Sequence, residues 1–570
     1  MELVDARRLT GPNPLSREPL VIVELGLSDA EKGELDDVVG VYTEELSRMR
    51  TALGFEGCVG MKVRERRQGA VVGYEAPVDV MFACAEMSEW AALSACERLA
   101  GREALPLEPK LSEVTALLER DRNPRLLALQ AESARRGIPL LWDDEHVSLG
   151  EGAHSVCWPR ASLPEVDEVP WESLGSIPVA LVTGTNGKTT CTRLLARIAR
   201  EAGFSVGSAS SDEIAIGGKV TERGDWTGPA AARAVLRRRE VELAVLETAR
   251  GGILRRGLAV PSCDAALITN VTDDHLGNDG VDGLDDMARV KAVVADAVRA
   301  DGTVVLNAHD ERLVALAARL SARVTFFANL DRDDARARAV IAEARARGER
   351  CVVAEDGKLF VATGDQIELV VEVTDVPIAF EGAAAYNVEN AAACVAVARA
   401  LGIGKDAIAR GLTGFQHADN PRRGELLEVR GVRLLLDFGH NPDGVRAVMQ
   451  LVGSLRDGRP GRLCVVVGAA GDRSAHEISE MVREIVSARP DRVMVRELAG
   501  YLRGRAPGEV PRLFEDALAS QGLPLERVTR VGSEVEALCT AFDSAEPGDF
   551  VVMLAHLEAG AVHAYLDALT

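Results

Sequence analysis

Residues 179–190 read V-A-L-V-T-G-T-N-G-K-T-T, and no other stretch limits so tightly what this chain can fold into. Apolar and β-branched residues run into a glycine turn, and the turn runs into a helical pattern, C-T-R-L-L-A-R-I-A-R. The order predicts a strand, a phosphate loop and a helix. Gly184 and Gly187 permit a tight turn whose N–H groups converge on a phosphate, Lys188 supplies a point charge, and Thr189 offers a hydroxyl to Mg²⁺. A nucleoside triphosphate is the expected ligand. The general Walker pattern places glycine where this chain has Val182, so the loop departs from that pattern while keeping its strand and helix.

A chain of 570 residues is too long for one ordinary core and predicts about three domains. Hydrophobic content of 47% with mean hydropathy of +0.02 is globular, and no apolar run approaches the ~18 residues of a membrane helix. The opening M-E-L-V-D-A-R-R-L-T has no apolar leader core, so a cytoplasmic location is expected. Ten cysteines lie scattered without C-x-x-C pairs and read as small buried residues, not as a metal or disulfide framework. The net charge of −22 speaks against a nucleic-acid partner, which calls for a basic face. Neither nucleic acid nor membrane is an expected partner.

The expected fold class is α/β in three domains. Residues 1–165 mix strand-like and helix-like stretches into a small α+β domain with no catalytic constellation of its own, closed by the Pro- and acid-rich L-P-E-V-D-E-V-P-W-E-S. Residues 170–415 alternate strands with helices, the pattern of a doubly wound parallel-sheet ATPase domain. Its expected strands, 179–183, 241–247, 264–270 and 302–307, each end in a polar group. Ligands in such sheets sit beyond the carboxyl ends of the strands, so the phosphate loop, Glu247, His275 and Asn307 should gather at one crevice. Glu247 and Thr189 suit a Mg²⁺ shared with phosphates, since hard cations take oxygen ligands; His275 is a candidate ligand for a second ion, against the alternative of a hydrogen-bonded loop histidine. Residues 322–380 suggest a helix and hairpins, followed by a buried helix on which Asn387 and Asn390 share a face. A second alternating series over 416–570 predicts a Rossmann-like domain, with Asp437, His440 and Asn441 after one strand and Gly471, Asp472 and Arg473 after the next.

In this order, G-T-N-G-K-T-T, T-N-V-T-D-D-H-L and D-F-G-H-N-P resemble the Mur ligase superfamily of ATP-dependent amide-forming enzymes. Within it, E-T-A-R-G-G-I-L-R-R-G-L at 247–258, G-D-W-T-G-P at 224–229, L-R-G-R-A-P-G-E at 502–509 and R-L-T-G-P-N at 8–13 are similar to cyanophycin synthetases. The resemblance implies ATP and Mg²⁺ as cofactors. It assigns Gly184, Thr185, Asn186, Gly187, Lys188, Thr189 and Thr190 to the ATP phosphates, Thr189, Glu247 and His275 to metal, and Asn387 and Asn390 to the adenine side. Arg423 and Asp437 would meet the nucleotide from the third domain, and His440 and Asn441 would join the closed site. Lys188, His275, Lys291, Arg423 and His440 are the catalytic candidates. Lys291 matches in position a lysine that many Mur ligases carry as a metal-bridging carbamate, against the alternative of an ordinary helix lysine. Two departures stand out: the ATP-grasp domain between the family's N-terminal and Mur-like parts is missing, and Arg422 stands where the family has glycine.

The implied reaction joins an amine, that of a basic amino acid or related cation, to a carboxylate on a small or peptide-like acceptor through an acyl phosphate. Such chemistry needs charge neutralisation at the phosphates and closure against water. The competing reading is a non-catalytic nucleotide- or polymer-binding regulator of a cyanophycin-type synthetase. Arg255, Arg256, Arg503 and Arg505 are candidates to neutralise an acidic acceptor, against ordinary surface pairing, and homo-oligomerisation stays open.

Overall fold

The computed structural model describes residues 1–570 apart from 56, 58, 275, 276, 278, 279 and 570. The architecture is α/β, with four sheets along the chain. The first is antiparallel, in the order Glu2–Leu9, Leu20–Gly26, Gly69–Glu75, Lys62–Arg66. Helices Leu35–Ala52 and Met81–Leu99 cover it, and Tyr42, Leu46, Met49, Tyr74, Met87 and Trp90 fill the core between them. Helix Pro124–Arg136 shows how local chemistry sets its limits. Asn123 accepts from the Leu126 N–H, proline occupies the first turn, and Gly137 ends the helix at φ 67°. A small three-stranded sheet, Leu140–Trp142, His146–Leu149 and Val156–Pro159, leads towards the nucleotide region.

The central sheet has eleven strands. Seven run parallel in the order Val206–Ala209, Leu243–Glu247, Val179–Thr183, Cys263–Ile268, Val298–Asn307, Arg323–Asn329, Arg350–Glu355. Antiparallel strands extend both edges. Val179–Thr183 lies inside the sheet with cores on both faces: Val179 and Leu181 enter one, Ala180 and Val182 the other. An uninterrupted apolar run is what a strand buried on both faces requires. Three of the parallel strands, Val206–Ala209, Arg323–Asn329 and Arg350–Glu355, go beyond the four expected from sequence. Their short or mixed-polarity sequences carry little period-2 signal and become strands by pairing with neighbours already in place. Helix Ala385–Ala400 packs its small Ala, Val and Cys side chains into the second of the two cores.

The fourth sheet has six strands, in the order Arg423–Val429, Val432–Asp437, Phe550–Leu554, Leu463–Val467, Arg492–Arg496, Val528–Val531. All neighbours are parallel except the first pair. Helices begin at Pro442, Ala475 and Glu509, as expected from their sequence patterns. Among the described residues, no helix is long and apolar enough to cross a membrane.

Two motifs about 245 residues apart in sequence meet in space, a spacing read from R-L-T-G-P-N and R-R-G-L. The Thr10 N–H donates to Arg256 O at 2.7 Å and the Leu258 N–H to Pro12 O at 2.8 Å. A Cβ on Gly11 would fall 2.0 Å from Leu258 O, so only glycine lets the backbones approach this closely. Gly11→Ala should force them apart and lower stability by about 1–3 kcal/mol. Helix Arg250–Arg256 should then exchange its amide hydrogens faster; unchanged exchange and melting would show that the contact carries no weight.

Candidate active site

The strand Val179–Thr183 delivers the chain into the loop under strict steric limits. Gly184 and Gly187 take φ of 146° and 89°. A Cβ would lie 1.8 Å from Thr269 Oγ1 at the first and 2.4 Å from Asn390 Oδ1 at the second. The loop is also tied down by its neighbours. The Thr185 N–H donates to Asn270 O at 3.0 Å, the Asn186 N–H to Asn270 Oδ1 at 2.9 Å, and Thr269 Oγ1 to Asn186 O at 2.6 Å. Lys188 Nζ donates to Thr185 O at 2.8 Å, which holds its ammonium over the loop. Asn420, buried in the connection to the last sheet, donates to Thr190 Oγ1 at 3.2 Å.

Glu247 ends the neighbouring parallel strand and is buried. Burial pushes its carboxyl above the ordinary range, opposed by Lys188 and by the Ser211 N–H, which donates to it at 3.1 Å. Ser211 Oγ shares a 2.9 Å hydrogen bond with Thr189 Oγ1. Thr189, Ser211 and Glu247 thus form a run of oxygen ligands beside the loop, a donor set that fits Mg²⁺ shared with phosphates. Among the described residues, no three His, Cys, Asp or Glu side chains gather as a metal cluster. The expected ligand His275 lies outside the described residues.

Lys291, on helix Leu284–Asp296, is 3% exposed and lines the same cleft. No hydrogen bond or ion pair holds its ammonium among the described residues. Burial, then the charge of Lys188, drives it well below its ordinary pKa. Both effects shift this lysine towards its neutral form, unlike the surface lysine of an ordinary helix.

The last sheet supplies the opposite wall of a cleft of about 1690 Å³. Asp437 is buried, and burial lifts its pKa to about 6 against the pull of Arg423. Arg423 stacks 4.3 Å from the Phe438 ring centroid. His440 Nε2 lies 3.6 Å from Asp274 Oδ2, and burial lowers the imidazole pKa. Asn441 caps helix Pro442–Arg456 by accepting from the Gly444 N–H at 2.8 Å. It also exchanges two hydrogen bonds with Asn186 of the phosphate loop, at 3.0 and 3.2 Å. Nearby, Arg473 donates to Asp274 at 2.6 Å.

The residues expected from sequence are therefore mostly brought together, with instructive exceptions. Asn390 faces the cleft, whereas Asn387 does not line it. Asn387 instead accepts from Asn390 Nδ2 at 3.1 Å and donates to Ile378 O at 2.9 Å, which orients its neighbour. Of the four arginines proposed for an acidic acceptor, only Arg503 lines the cleft, where it pairs with Asp472. Arg505 donates to Gly471 O, Arg473 O and Glu509, so it props the 471–473 loop. Arg255 and Arg256 are exposed on a helix end away from the lining. Sequence reasoning missed Asp212, Ser211, Arg193, Asp274 and Asn420; Asp274 stands within the T-N-V-T-D-D-H-L motif without being singled out, and the pairing of each is set only through the fold.

Comparison with known proteins agrees with this geometry. Residues 182–398 match the Mur ligase middle domain and residues 422–557 the Mur ligase, glutamate ligase domain. A cyanophycin synthetase of Crocosphaera subtropica is 36% identical over 387 residues, covering 67% of this chain and 43% of that protein. The chain thus spans less than half the length of that relative. UDP-N-acetylmuramoylalanine–D-glutamate ligase of Desulfitobacterium hafniense is 26% identical, covering 65% of this chain and 68% of that one. E. coli FolC in complex with ADP, without folate substrate, matches the fold with a TM-score of 0.50 at 18% identity, over 69% of this chain and 89% of that one.

The electrostatics of Asp437 give a signed expectation. Its folded pKa of about 6 exceeds the ordinary 3.8, so the stability it contributes is fully present below the lower value and is lost as pH rises through the higher. Asp437→Asn should remove a pH-dependent component on the order of 3 kcal/mol over that window. Urea denaturation of both proteins across it reads the difference; parallel profiles would show that Asp437 does not titrate there.

Proposed function

The chain belongs to the Mur ligase family through residues 182–398 and 422–557, and from that premise we propose that it is an ATP-dependent carboxylate–amine ligase. The observation that carries the reading is the Asn186–Asn441 pair. It joins the phosphate loop to the loaded strand end of the last sheet, so that nucleotide-binding and closing residues share one cleft. The working division is into domains 1–165, 170–415 and 416–570.

In this reading the N–H groups of Gly187 to Thr190 and the Lys188 ammonium receive the ATP phosphates at a helix N-terminus, while Asn270 ties down the N–H groups of Thr185 and Asn186. Thr189 and Glu247 would hold Mg²⁺ and His275 a second ion, and such ions would supply charge neutralisation at the phosphates. Asn390 faces the nucleotide, and Asn387 orients it. Arg423 approaches the phosphates from the C-terminal domain, beside Asp437. The acceptor carboxylate attacks the γ-phosphorus, giving an acyl phosphate and ADP. The amine then attacks the acyl carbon, phosphate leaves, and an amide remains. Closure through Asn441 and His440 keeps water from the acyl phosphate, which hydrolysis would otherwise consume.

The similarity to cyanophycin synthetase, together with the missing ATP-grasp domain, supports addition of a basic amino acid to a carboxylate side chain without extension of a peptide backbone. The expected result with labelled arginine or lysine, Mg·ATP and aspartate-containing acceptors is a product heavier by one amine donor less water. Lys188→Ala should form none of it while folding normally, because the change removes charge from the phosphates without opening a core. Backbone-extended aspartate chains, or equal turnover in the variant, would refute the reading.

The burial of Lys291 in the cleft and the downward shift of its amine support a carbamate formed by its reaction with CO₂. Bicarbonate should restore activity to carbonate-depleted enzyme, and Lys291→Ala should abolish the response. An unmodified side chain by native mass spectrometry, with no bicarbonate effect, would dismiss the carbamate.

A further inference from the structure

Asp212 lies at the centre of a cluster of which the mechanism above uses Arg423 alone. Its Oδ1 accepts from Arg422 Nη2 at 2.6 Å. Its Oδ2 accepts from Arg193 Nη2 at 3.0 Å and lies 3.6 Å from Arg423 Nη2. Arg193 comes from the helix that follows the phosphate loop, and the other two arginines from the start of the last sheet, so the cluster bridges the cleft. All four residues line it, with side chains only 10–14% exposed.

Three buried guanidinium groups share one carboxylate, and the surroundings do little to rebalance them. Glu213 Oε1 is 3.9 Å from Arg193 Nε. Glu425 is engaged by the Arg422 backbone N–H and by His563. Asp437 also faces Arg423, and burial raises its pKa to about 6, so its charge is withdrawn only below that pH. Arg193 Nη1 and Arg422 Nε are buried and reach no protein acceptor. Excess buried charge with unused donors is costly unless a second anion joins the set.

Backbone strain points the same way. Arg422 adopts φ 59°, a left-handed conformation that glycine occupies freely and a side chain does not. Arginine is nevertheless the residue at this position. Its guanidinium also lies over Phe438 and donates to His556 O at 3.4 Å, so the fork is aimed rather than loose. Strain of this kind is kept where a side chain has work at a site.

The identity of the anion follows from position. Asp212 follows Ser211, which hydrogen-bonds Thr189 and Glu247. The cluster therefore abuts the proposed metal and phosphate positions, and planar guanidinium forks match phosphate oxygens in pairs. We propose that Arg193 and Arg422 join Arg423 in one phosphate subsite, where Asp212 competes with an incoming phosphoryl group for the three guanidinium groups. The inference rests on the nucleotide-binding reading and adds a second cationic wall opposite Lys188. Asp212 is then a gate: it keeps the arginines paired until an anion displaces it.

Titration calorimetry of the full chain with Mg·ADP, adenosine and pyrophosphate tests this. Arg422→Gly should weaken pyrophosphate and Mg·ADP binding about tenfold, a typical worth for a charge-assisted pair, and leave adenosine unchanged. Arg193→Gln should act in the same direction and stands in if the first variant folds poorly. Asp212→Asn should tighten pyrophosphate binding several-fold, because it removes the competitor; a merely structural aspartate would weaken it. Wild-type affinities in all three variants, or no pyrophosphate binding by the wild type, would overturn the subsite. Weakened binding of an aspartate-containing acceptor with pyrophosphate unaffected would overturn it in favour of a substrate carboxylate. Pyrophosphate binding without any gain from the adenosine part of ADP would instead sink the nucleotide reading and leave the subsite standing.

Discussion

Thr269 presses on Gly184 from one side of the phosphate loop and Asn390 on Gly187 from the other, so the loop has room for a bare backbone and nothing more. From that compression the rest follows. The loop's N–H groups are held by Asn270 and its own helix, Lys188 folds back over it, and Asn186 is left presenting its amide outward. A looser loop would leave that amide without a fixed position to meet Asn441.

The contacts that bring the last sheet over the phosphate loop include a polar set, the Asn186–Asn441 exchange, the Arg473–Asp274 bond and the arginine cluster on Asp212, beside the apolar packing of Phe380, Ala383, Ala384 and Tyr386 against the last sheet's core. Each polar contact contributes modestly in net terms, because the same groups bond water when the domains part. Interfaces between domains of one chain are commonly of this kind, and they favour opening and closing over permanent union. The proposed ligase reaction would need that balance, since substrates must enter and an activated acyl group must be shielded. The N-terminal module follows a different logic. Gly11 meets Leu258 backbone to backbone at the far end of the helix that follows Glu247, a close main-chain contact in place of side-chain pairs.

Burial sets the chemistry of the side chains in the cleft. Glu247 and Asp437 are pushed up, and His440 and Lys291 are pushed down, in each case first by loss of water. Groups that would carry full charge at the surface are thereby moved towards neutrality. The cleft thus combines a cationic phosphate side with titratable groups of altered strength.

Much of this was legible in the sequence because it is local. The apolar run 179–183, the two loop glycines and the following helix carry their own periodicity and turn chemistry, and helices starting at Pro442, Ala475 and Glu509 announce themselves in the same way. Strand ends bearing Glu247 and Asn307 pointed to one crevice by the general geometry of parallel sheets, and the family resemblance added Asp437 from the last domain. Only the tertiary structure decided what pairs across that crevice. Asn387 reads like Asn390 at helical spacing, yet one supports and the other faces the cleft, because the turn beneath offers Ile378 O to the first alone. Arg505 reads like Arg503, yet backbone carbonyls of the neighbouring loop claim its guanidinium. Asp212 has no signature at all, since its three arginine partners come from sequence positions 19 to 211 residues away. Local pattern specifies elements and the direction in which strands end; which charges meet depends on how separate elements are brought together, and no single stretch of sequence encodes that.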